Sequence, residues 1–451
     1  MFDIGIIGAG PAGYTAAIRA AQLGLTVVLF EKDKIGGTCL NRGCIPTKTI
    51  LHSCNLYNEI KNTAKFGVNC ENISFDFEKI QERQKNISEK IRKNLTNLIK
   101  SYNNITIVEE EAKIKNNNTI ETQSQTFEVK NIIIATGSKP NKIKLTGNYD
   151  SNYILTSDDI LELNQLPKSI LITGSGAIGI EWARILSSLG VKVCIIEMAD
   201  KLIPQADYEI SERIVRLLKK SRIEFYTSTV INNIDEQTIT LSNGKTIEAE
   251  KILLAAGRLP IIGDDVPLNN IETNKFITTD ENFKTTANNI YAIGDVNGKS
   301  MLAHSAMKQA EQVISYINDY KAAEFCKNLV PAVIYGTPEI AFIGKTEQEL
   351  IEQNIQYKKS MFPISALGKA YADDKIEGFV KVLANKNEIL GAHIISEEAS
   401  ALIEQFAIAM TKHISPKALD NVIFAHPTYS EAIGEAVLGL DNLAIHIPQA
   451  K

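Results

Sequence analysis

The sequence predicts an α/β protein with two Rossmann-like, doubly wound dinucleotide-binding domains and a smaller C-terminal α+β domain. Three observations lead to this prediction. A pattern of strand, glycine turn, helix, strand and acid occurs twice. The segment from about residue 330 instead contains two strand-like runs, PEIAFIG and GFVKVLAN, and then an apolar helix at 399–410. A chain of 451 residues is also too long for one hydrophobic core, so several domains are expected.

The first copy of the pattern occupies the N-terminus. A short apolar run at Asp3–Ile7 predicts a buried strand, and helical spacing at Tyr14–Leu23 predicts a helix that ends at Gly24. A second apolar strand at Thr26–Phe30 ends in Glu31. The turn before the helix carries Gly8, Gly10 and Gly13.

The second copy repeats this order. The predicted strand at Ser169–Thr173 precedes a helix at Ile180–Leu189, and the next strand, Val191–Ile196, ends in Glu197. The turn between the first strand and the helix carries Gly174, Gly176 and Gly179. In both copies the acid stands 18 residues after the third glycine. Two copies therefore predict two dinucleotide sites.

The glycines and the acid have distinct physical tasks. The first glycine makes a tight turn, the second lets the backbone approach a pyrophosphate, and the third lets helix and strand pack closely. The helix N-terminus offers free N–H groups to the phosphates. The acid accepts hydrogen bonds from ribose hydroxyls and repels a 2′-phosphate. Because Met198, Ala199 and Asp200 supply no arginine, the site at Glu197 favours NAD over NADP.

Two cysteines follow the first copy, in the stretch GGTCLNRGCIP, which we interpret as a glycine-flanked loop. Three interpretations of Cys39 and Cys44 compete: a zinc site completed by His52 and Cys54, an inert structural disulfide, and a redox-active pair. Six cysteines in a chain of this length do not form a disulfide scaffold, so a reducing cytosol is expected. This favours the redox pair and no metal. A helix starting near Pro46 would lower the pKa of a nearby thiol.

The segment GGTCLNRGCIPTK and the two glycine patterns resemble the flavin-dependent pyridine nucleotide–disulfide oxidoreductases over essentially the whole chain, and within them the dihydrolipoamide dehydrogenases. The resemblance implies FAD and NAD as cofactors. It implies FAD contacts at IIIATGS, which includes Gly137, at Asp295, and at Ala303 and His304 of MLAHSAMKQA. The run LLAAGRLP, with Gly257, matches the end of the NAD domain, and Ile261 replaces the usual asparagine there.

The resemblance also assigns the acid–base groups. Lys48 and Glu181 would pair beside the reactive flavin nitrogen; otherwise they are unrelated surface charges. His426 and Glu431, in AHPTYSEAIGEA, match the general base and the carboxylate that orients it. A lone histidine in such a segment is otherwise structural. Phe424 replaces a second histidine that many dihydrolipoamide dehydrogenases carry two residues before the base.

The resemblance implies four segments: FAD domain 1–145, NAD domain 146–263, a second FAD part at 264–328, and a dimerisation domain at 329–451. In a homodimer, His426 of one subunit would serve the cysteines of the other. The implied reaction is oxidation of dihydrolipoamide, carried on a lipoyl domain of a 2-oxoacid dehydrogenase or glycine-cleavage complex, with reduction of NAD. The alternatives are a glutathione-reductase-like disulfide reductase and a diaphorase or NADH oxidase.

Composition limits the remaining partners. The chain has 53 acidic and 48 basic residues and a net charge of -5, which argues against nucleic-acid binding. No apolar run approaches the ~20 residues that cross a bilayer, and the N-terminal sequence has no basic leader. We therefore expect a cytoplasmic protein without a membrane partner.

Overall fold

The computed structural model describes residues 1–262, 271–319 and 324–448. The helices are α1 (Pro11–Gln22), α2 (Gly37–Arg42), α3 (Cys44–Lys61), α4 (Phe77–Lys100), α5 (Ala177–Ser188), α6 (Tyr208–Lys220), α7 (Ala303–Ile317), α8 (Glu347–Glu352), α9 (Gly368–Ala372), α10 (Ala399–Thr411), α11 (Pro416–Asp420) and α12 (Glu431–Leu438). Within the described ranges, no helix combines the length and apolar character that a bilayer crossing requires.

The strands are short. Those before residue 160 are β1 (Phe2–Ile7), β2 (Val27–Phe30), β3 (Ile105–Val108), β4 (Lys113–Asn116), β5 (Thr119–Glu121), β6 (Thr126–Ile134), β7 (Ser138–Pro140), β8 (Gly147–Asn148) and β9 (Ile154–Thr156). The others are β10 (Ser169–Thr173), β11 (Lys192–Ile196), β12 (Glu224–Tyr226), β13 (Ile231–Asp235), β14 (Thr238–Leu241), β15 (Thr246–Glu248), β16 (Lys251–Leu254), β17 (Arg258–Pro260), β18 (Thr273–Asn274), β19 (Phe276–Ile277), β20 (Ile290–Ala292), β21 (Ala332–Ile334), β22 (Glu339–Gly344), β23 (Lys358–Pro363), β24 (Phe379–Ala384) and β25 (Ile389–Ser396).

The first sheet has the order β3-β2-β1-β6-β5-β4, and β20 also pairs with β6. The pairings of β1, β2, β3, β6 and β20 are parallel. In this register Ile7 lies beside Ile134, and Ile134 lies beside Ala292. The loops that follow these three strands therefore leave the sheet at one edge, where ligands of doubly wound sheets bind.

The second sheet, β12-β11-β10-β16-β9, is parallel throughout. Thr173 at the end of β10 lies beside both Ile196 and Leu254. The second glycine turn, Glu197 and the segment after β16 thus share one edge. A short antiparallel ribbon of β7 and β17 pairs Ser138 with Pro260 near the first sheet.

The third large sheet, β21-β22-β25-β24-β23, is antiparallel and belongs to the C-terminal part. Helices α10 and α12 contribute to its apolar core through residues such as Phe406 and Ile433, both fully buried. The predicted strands and the apolar helix of this part are confirmed.

One prediction for the N-terminal part is wrong. The cysteine stretch is not a loop, because Cys39 lies within α2 and Cys44 is the first residue of α3. Gly43 separates the two helices with a backbone that is neither helical nor extended (φ −144°, ψ −110°). Pro46 does not mark the helix start, because proline is tolerated anywhere in the first turn, where N–H groups have no intrahelical partner. The predicted domain boundaries stay predictions, and the one between residues 263 and 264 lies outside the described residues.

A buried charge cluster joins α6 to the C-terminal sheet. The ammonium of Lys381, 1% exposed, lies 2.8 Å from Asp207 Oδ1 and 2.6 Å from carboxylate oxygens of Glu209 and Glu347. His393 lies 3.8 Å from Asp207, and burial lowers its pKa to about 4. The imidazole is therefore neutral at pH 7. Lys381 offsets the charge of all three carboxylates, and Lys359 also pairs with Glu347 at 2.8 Å.

Replacing Lys381 with methionine should destabilise the protein by about 3–5 kcal/mol, because removing one partner leaves buried carboxylates uncompensated. The measurement is urea-induced unfolding followed by intrinsic fluorescence. The matched control is Lys358→Met in β23, whose side chain is 64% exposed and pairs with Asp441 at the surface. Such surface pairs contribute about 0–1 kcal/mol. Equal midpoints for the two variants would contradict the structural importance of the cluster.

Candidate functional site

A cavity of about 550 Å³ opens at the edge of the first sheet where three parallel strands end. Its lining extends from the first glycine turn to α2 and α3, which carry the two cysteines, and further to α5 and α7. Among the residues that line it are Gly8, Gly10, Glu31, Cys39, Cys44, Lys48, Gly137, Glu181, Asp295 and Ala303. The structure therefore brings most of the residues predicted to contact FAD together with the predicted redox pair.

Two glycines of the first turn have no space for a side chain: Gly8, which lines the cavity, and Gly13, which lies outside the lining. A Cβ on Gly8 would lie 2.4 Å from the carbonyl oxygen of Ala135, and one on Gly13 would lie 1.8 Å from that of Gly8. Helix α1 starts at Pro11 without a side-chain cap and has no acid in its first turn. Its N–H groups are therefore available to an anion such as a pyrophosphate. This geometry fits the nucleotide part of FAD.

Each glycine turn is tied to the acid that ends the next strand. Glu31 Oε2 accepts the N–H of Ala9 at 2.9 Å. In the second copy, Glu197 Oε2 accepts both the N–H of Ser175 at 2.8 Å and its hydroxyl at 2.7 Å. Helix α5 also starts without a side-chain cap or an acid in its first turn. The second turn thus repeats the geometry of the first.

The segments that follow β6 and β20 add a polar network to the cavity lining. Ser138 donates its hydroxyl to Asp295 Oδ2 at 2.5 Å, and Arg258 Nε donates to Ser138 Oγ at 2.8 Å. The unusual Ile261 contributes through its backbone: its N–H donates to Gly137 and its carbonyl accepts from Thr136. The loss of the asparagine side chain therefore leaves these backbone contacts in place.

Cys39 and Cys44 are free thiols in hydrogen-bond contact, and both line the cavity. Their pKa values move in opposite directions. The hydrogen bond from Cys39 and the charge of Lys48 lower the pKa of Cys44 to about 7, against the effect of burial. The same hydrogen bond, burial and the negative charge on Cys44 raise the pKa of Cys39. Cys44 is therefore the more acidic thiol of the pair, and Cys39 is the one that keeps its proton.

Lys48 and Glu181 form an ion pair across 133 residues of sequence, as predicted. The ammonium of Lys48 lies 2.9 and 2.8 Å from the two carboxylate oxygens of Glu181. The Glu181 side chain is 4% exposed, and that of Lys48 is 32% exposed. The pair is therefore not two unrelated surface charges.

His426 and Glu431 also form a pair. His426 Nδ1 lies 2.8 Å from Glu431 Oε1, and Glu431 Oε2 accepts the N–H of Thr428 at 2.8 Å. The imidazole is 76% exposed and does not line the cavity that holds the cysteines of its own chain. Phe424 stands where many dihydrolipoamide dehydrogenases carry a second histidine. Its ring packs over Gly434, where a Cβ would lie 2.8 Å from the ring.

Several predicted residues lie outside the cavity lining. His304 points away, with Nε2 2.8 Å from the carbonyl oxygen of Pro331. The residues predicted to bind NAD lie around the second glycine turn and do not line the cavity: Gly174, Gly176, Gly179, Glu197 and Gly257. Their neighbours Ala177, Ile178 and Arg258 do line it. Cys54, one of the residues considered as a zinc ligand, is buried and contacts Ser188. The described ranges contain no group of three or more His, Cys, Asp or Glu that could hold a metal ion.

Sequence reasoning missed four residues of the site. Ser138 and Arg258 stand inside the runs IIIATGS and LLAAGRLP, where only the glycines match a predicted contact. Ser175, fully buried, lies within the second glycine turn. Tyr335, whose N–H donates to Glu181 at 3.0 Å, lies in a segment with no local motif.

Comparisons with known proteins agree with this geometry. The family model of the pyridine nucleotide-disulphide oxidoreductases matches residues 2–310, and that of their dimerisation domain matches residues 330–437. A dihydrolipoyl dehydrogenase of Bacillus subtilis is 37% identical over 99% of both chains. One from Geobacillus stearothermophilus is 35% identical, covering 98% of this chain and 97% of that one.

Solved structures show the same fold. LpdA from Mycobacterium tuberculosis superposes with a TM-score of 0.90 at 23% identity, covering 98% of this chain and all of that one. The HOCl-induced flavoprotein disulfide reductase RclA from Escherichia coli has a TM-score of 0.86 at 25% identity, covering 97% and 99%. The resemblance and fold class predicted from the sequence are confirmed, and the chain belongs to the pyridine nucleotide-disulphide oxidoreductase family.

Proposed function

We propose that this flavoprotein oxidoreductase oxidises dihydrolipoamide and reduces NAD. The observation that carries the proposal is the thiol pair of Cys39 and Cys44, placed beside the Lys48–Glu181 ion pair in a cavity that begins at a glycine turn. Full-length relatives named dihydrolipoyl dehydrogenase support the choice of substrate.

FAD is the cofactor that the cavity would hold. The backbone at Gly8, Gly10 and Gly13 would receive its pyrophosphate, Glu31 its ribose, and Asp295 its ribityl chain. Bound FAD would accept an electron pair from the cysteine thiols and pass it to NAD, which Glu197 and the second glycine turn would hold. Lys48, fixed by Glu181, would keep a positive charge beside Cys44 throughout.

Different side chains of the protein would act in successive steps of the thiol–disulfide exchange. The partner subunit's His426 accepts a proton from one dihydrolipoyl thiol, and the thiolate attacks Cys39 of the disulfide. Cys44 leaves as the thiolate that Lys48 stabilises. The second lipoyl thiol then attacks the sulfur bound to Cys39, closes the lipoyl ring and expels Cys39, which receives the proton that this thiol loses. The products are lipoamide and a reduced pair, with the charge on Cys44 and the proton on Cys39.

Glu431 would act through the imidazole. By accepting a hydrogen bond from Nδ1–H of His426 it fixes the tautomer in which Nε2 is the base, and it stabilises the imidazolium. Because His426 lies outside the cavity of its own chain, the proposal requires a homodimer in which each subunit completes the other's site. The dimerisation-domain match supports this arrangement.

The lipoyl group would arrive on the lipoyl domain of a 2-oxoacid dehydrogenase or glycine-cleavage complex. The cytoplasm is the proposed location, because a cycling thiol pair operates in a reducing compartment.

The test is a steady-state assay of the purified protein with dihydrolipoamide or reduced glutathione as donor and NAD or NADP as acceptor. We expect flavin absorption bands and rapid NADH formation from dihydrolipoamide. We expect far slower reaction with NADP, because Glu197 repels its 2′-phosphate. Faster turnover with the glutathione and NADP pair, or a colourless protein after reconstitution with FAD, would contradict the proposal.

A further inference from the structure

Glu181 is held from two sides. Its buried carboxylate accepts two hydrogen bonds from Lys48, and Oε1 also accepts the backbone N–H of Tyr335 at 3.0 Å. Tyr335 belongs to the C-terminal part and directly follows β21, whose Val333 lines the cavity. The C-terminal part therefore contacts the ion pair beside Cys44.

The ring of Tyr335 contacts the other member of the pair. The Lys48 ammonium lies 4.7 Å from the ring centroid, a distance that gives a cation–π attraction. Glu181 and the ring together limit where the ammonium can lie. This matters because the Lys48 side chain is still 32% exposed, and a flexible lysine would otherwise sample several positions.

A third contact fixes the loop that carries Tyr335. Arg184, one turn after Glu181 on α5, donates to the carbonyl oxygen of Pro338 at 2.7 Å. At Gly336 (φ +154°), a Cβ would lie 2.0 Å from Arg184 Nη1. The guanidinium thus occupies the volume that a side chain at residue 336 would need. Helix α5 holds both ends of the loop, through Glu181 at Tyr335 and Arg184 at Pro338.

We propose that Tyr335 is a positioning residue, clamped by Arg184, that holds Lys48 in place beside Cys44. The inference rests on the proposed function, in which Cys44 is the thiolate that Lys48 stabilises. Tyr335 touches none of the reacting atoms and acts through the ammonium. The C-terminal part then has two roles. It supplies the base His426 to the partner subunit, and through Tyr335 it sets the charge around the cysteines of its own subunit.

The experiment measures how fast iodoacetamide alkylates Cys44 as a function of pH, in the full-length FAD-bound protein after reduction and anaerobic removal of the reductant. Mass spectrometry of the peptide separates Cys44 from the other cysteines. Wild type should show a midpoint near pH 7, the pKa of Cys44. Lys48→Met is the reference variant and should move the midpoint upward by about one pH unit or more.

Tyr335→Ala should raise the midpoint by about half to one pH unit, because Lys48 is no longer confined. Tyr335→Phe, which keeps the ring, should match wild type. The double variant Tyr335→Ala with Lys48→Met should show no larger shift than Lys48→Met alone, because both changes act through the same ammonium. Arg184→Met, which frees the loop but keeps the ring, should move the midpoint in the same direction.

A Tyr335→Ala profile that coincides with wild type while Lys48→Met shifts would overturn the inference, and so would fully additive shifts in the double variant. If Tyr335→Ala does not fold, Arg184→Met decides by the same criterion. Alkylation needs no lipoyl substrate. Failure of the substrate assay with these profiles intact would therefore reject the proposed function and leave the positioning role standing.

Discussion

Replacing Cys44 with serine will abolish dihydrolipoamide turnover and leave the flavin bound. A serine hydroxyl is not a thiolate at neutral pH and cannot form or break a disulfide, so the covalent route is lost. We expect a decrease in kcat of about 10⁴-fold or more. Cys44 is one of many residues that line a cavity of about 550 Å³, so exchanging sulfur for oxygen removes little of the binding surface.

The measurement combines an absorption spectrum with the dihydrolipoamide–NAD assay. The matched control is Cys54→Ala, ten residues further along the same helix. Cys54 is buried, and burial raises its pKa to about 11, so it stays a protonated thiol at neutral pH. The control should retain near wild-type kcat. Turnover by Cys44→Ser within tenfold of wild type would reject the proposed disulfide chemistry.

A mixed dimer of one Cys44→Ser subunit and one His426→Gln subunit will regain about half the wild-type turnover. Either homodimer alone should be slower than wild type by about 10²-fold or more, because each lacks an essential group in both sites. In the mixed dimer, the His426→Gln subunit keeps its cysteines and receives an intact histidine from its partner. One complete site results from two inactive chains.

The mixed dimer is obtained by co-expression with two different affinity tags and sequential purification. If His426 served the cysteines of its own chain, both sites would stay defective and the activity would remain that of the homodimers. The Glu431→Gln variant extends the test. It keeps the imidazole but weakens its orientation, so it should reduce kcat less than His426→Gln does.

Local patterns predicted the parts of this molecule that are built from neighbouring residues. The strand, turn and helix around Gly8 and Gly174 follow from glycine placement and apolar period. The ends were less accurate: the helices predicted at Tyr14 and Ile180 begin three residues earlier, at Pro11 and Ala177. Uncapped helix ends at a glycine carry no Ser, Thr or Asp signal that marks them.

Contacts between distant segments were beyond such reasoning. Lys381 contacts Asp207 across 174 residues of sequence, and Tyr335 contacts Glu181 across 154. No rule of residue spacing predicts contacts at such separations. Lys48 and Glu181 were paired only because the sequence resembles a known family. The split of the cysteine stretch into α2 and α3 was missed because Gly36, Gly37 and Gly43 indicate a loop, whereas the structure uses them at the helix ends.

The contact between Gly336 and Arg184 restricts how this protein can evolve. Any mutation that adds a side chain at residue 336 meets a guanidinium already in that volume, so it is harmful while residue 184 is arginine. Shortening residue 184 removes this clash but not the strain of the positive φ at residue 336. Glycine is therefore expected to persist at residue 336 in descendants of this sequence even where residue 184 changes.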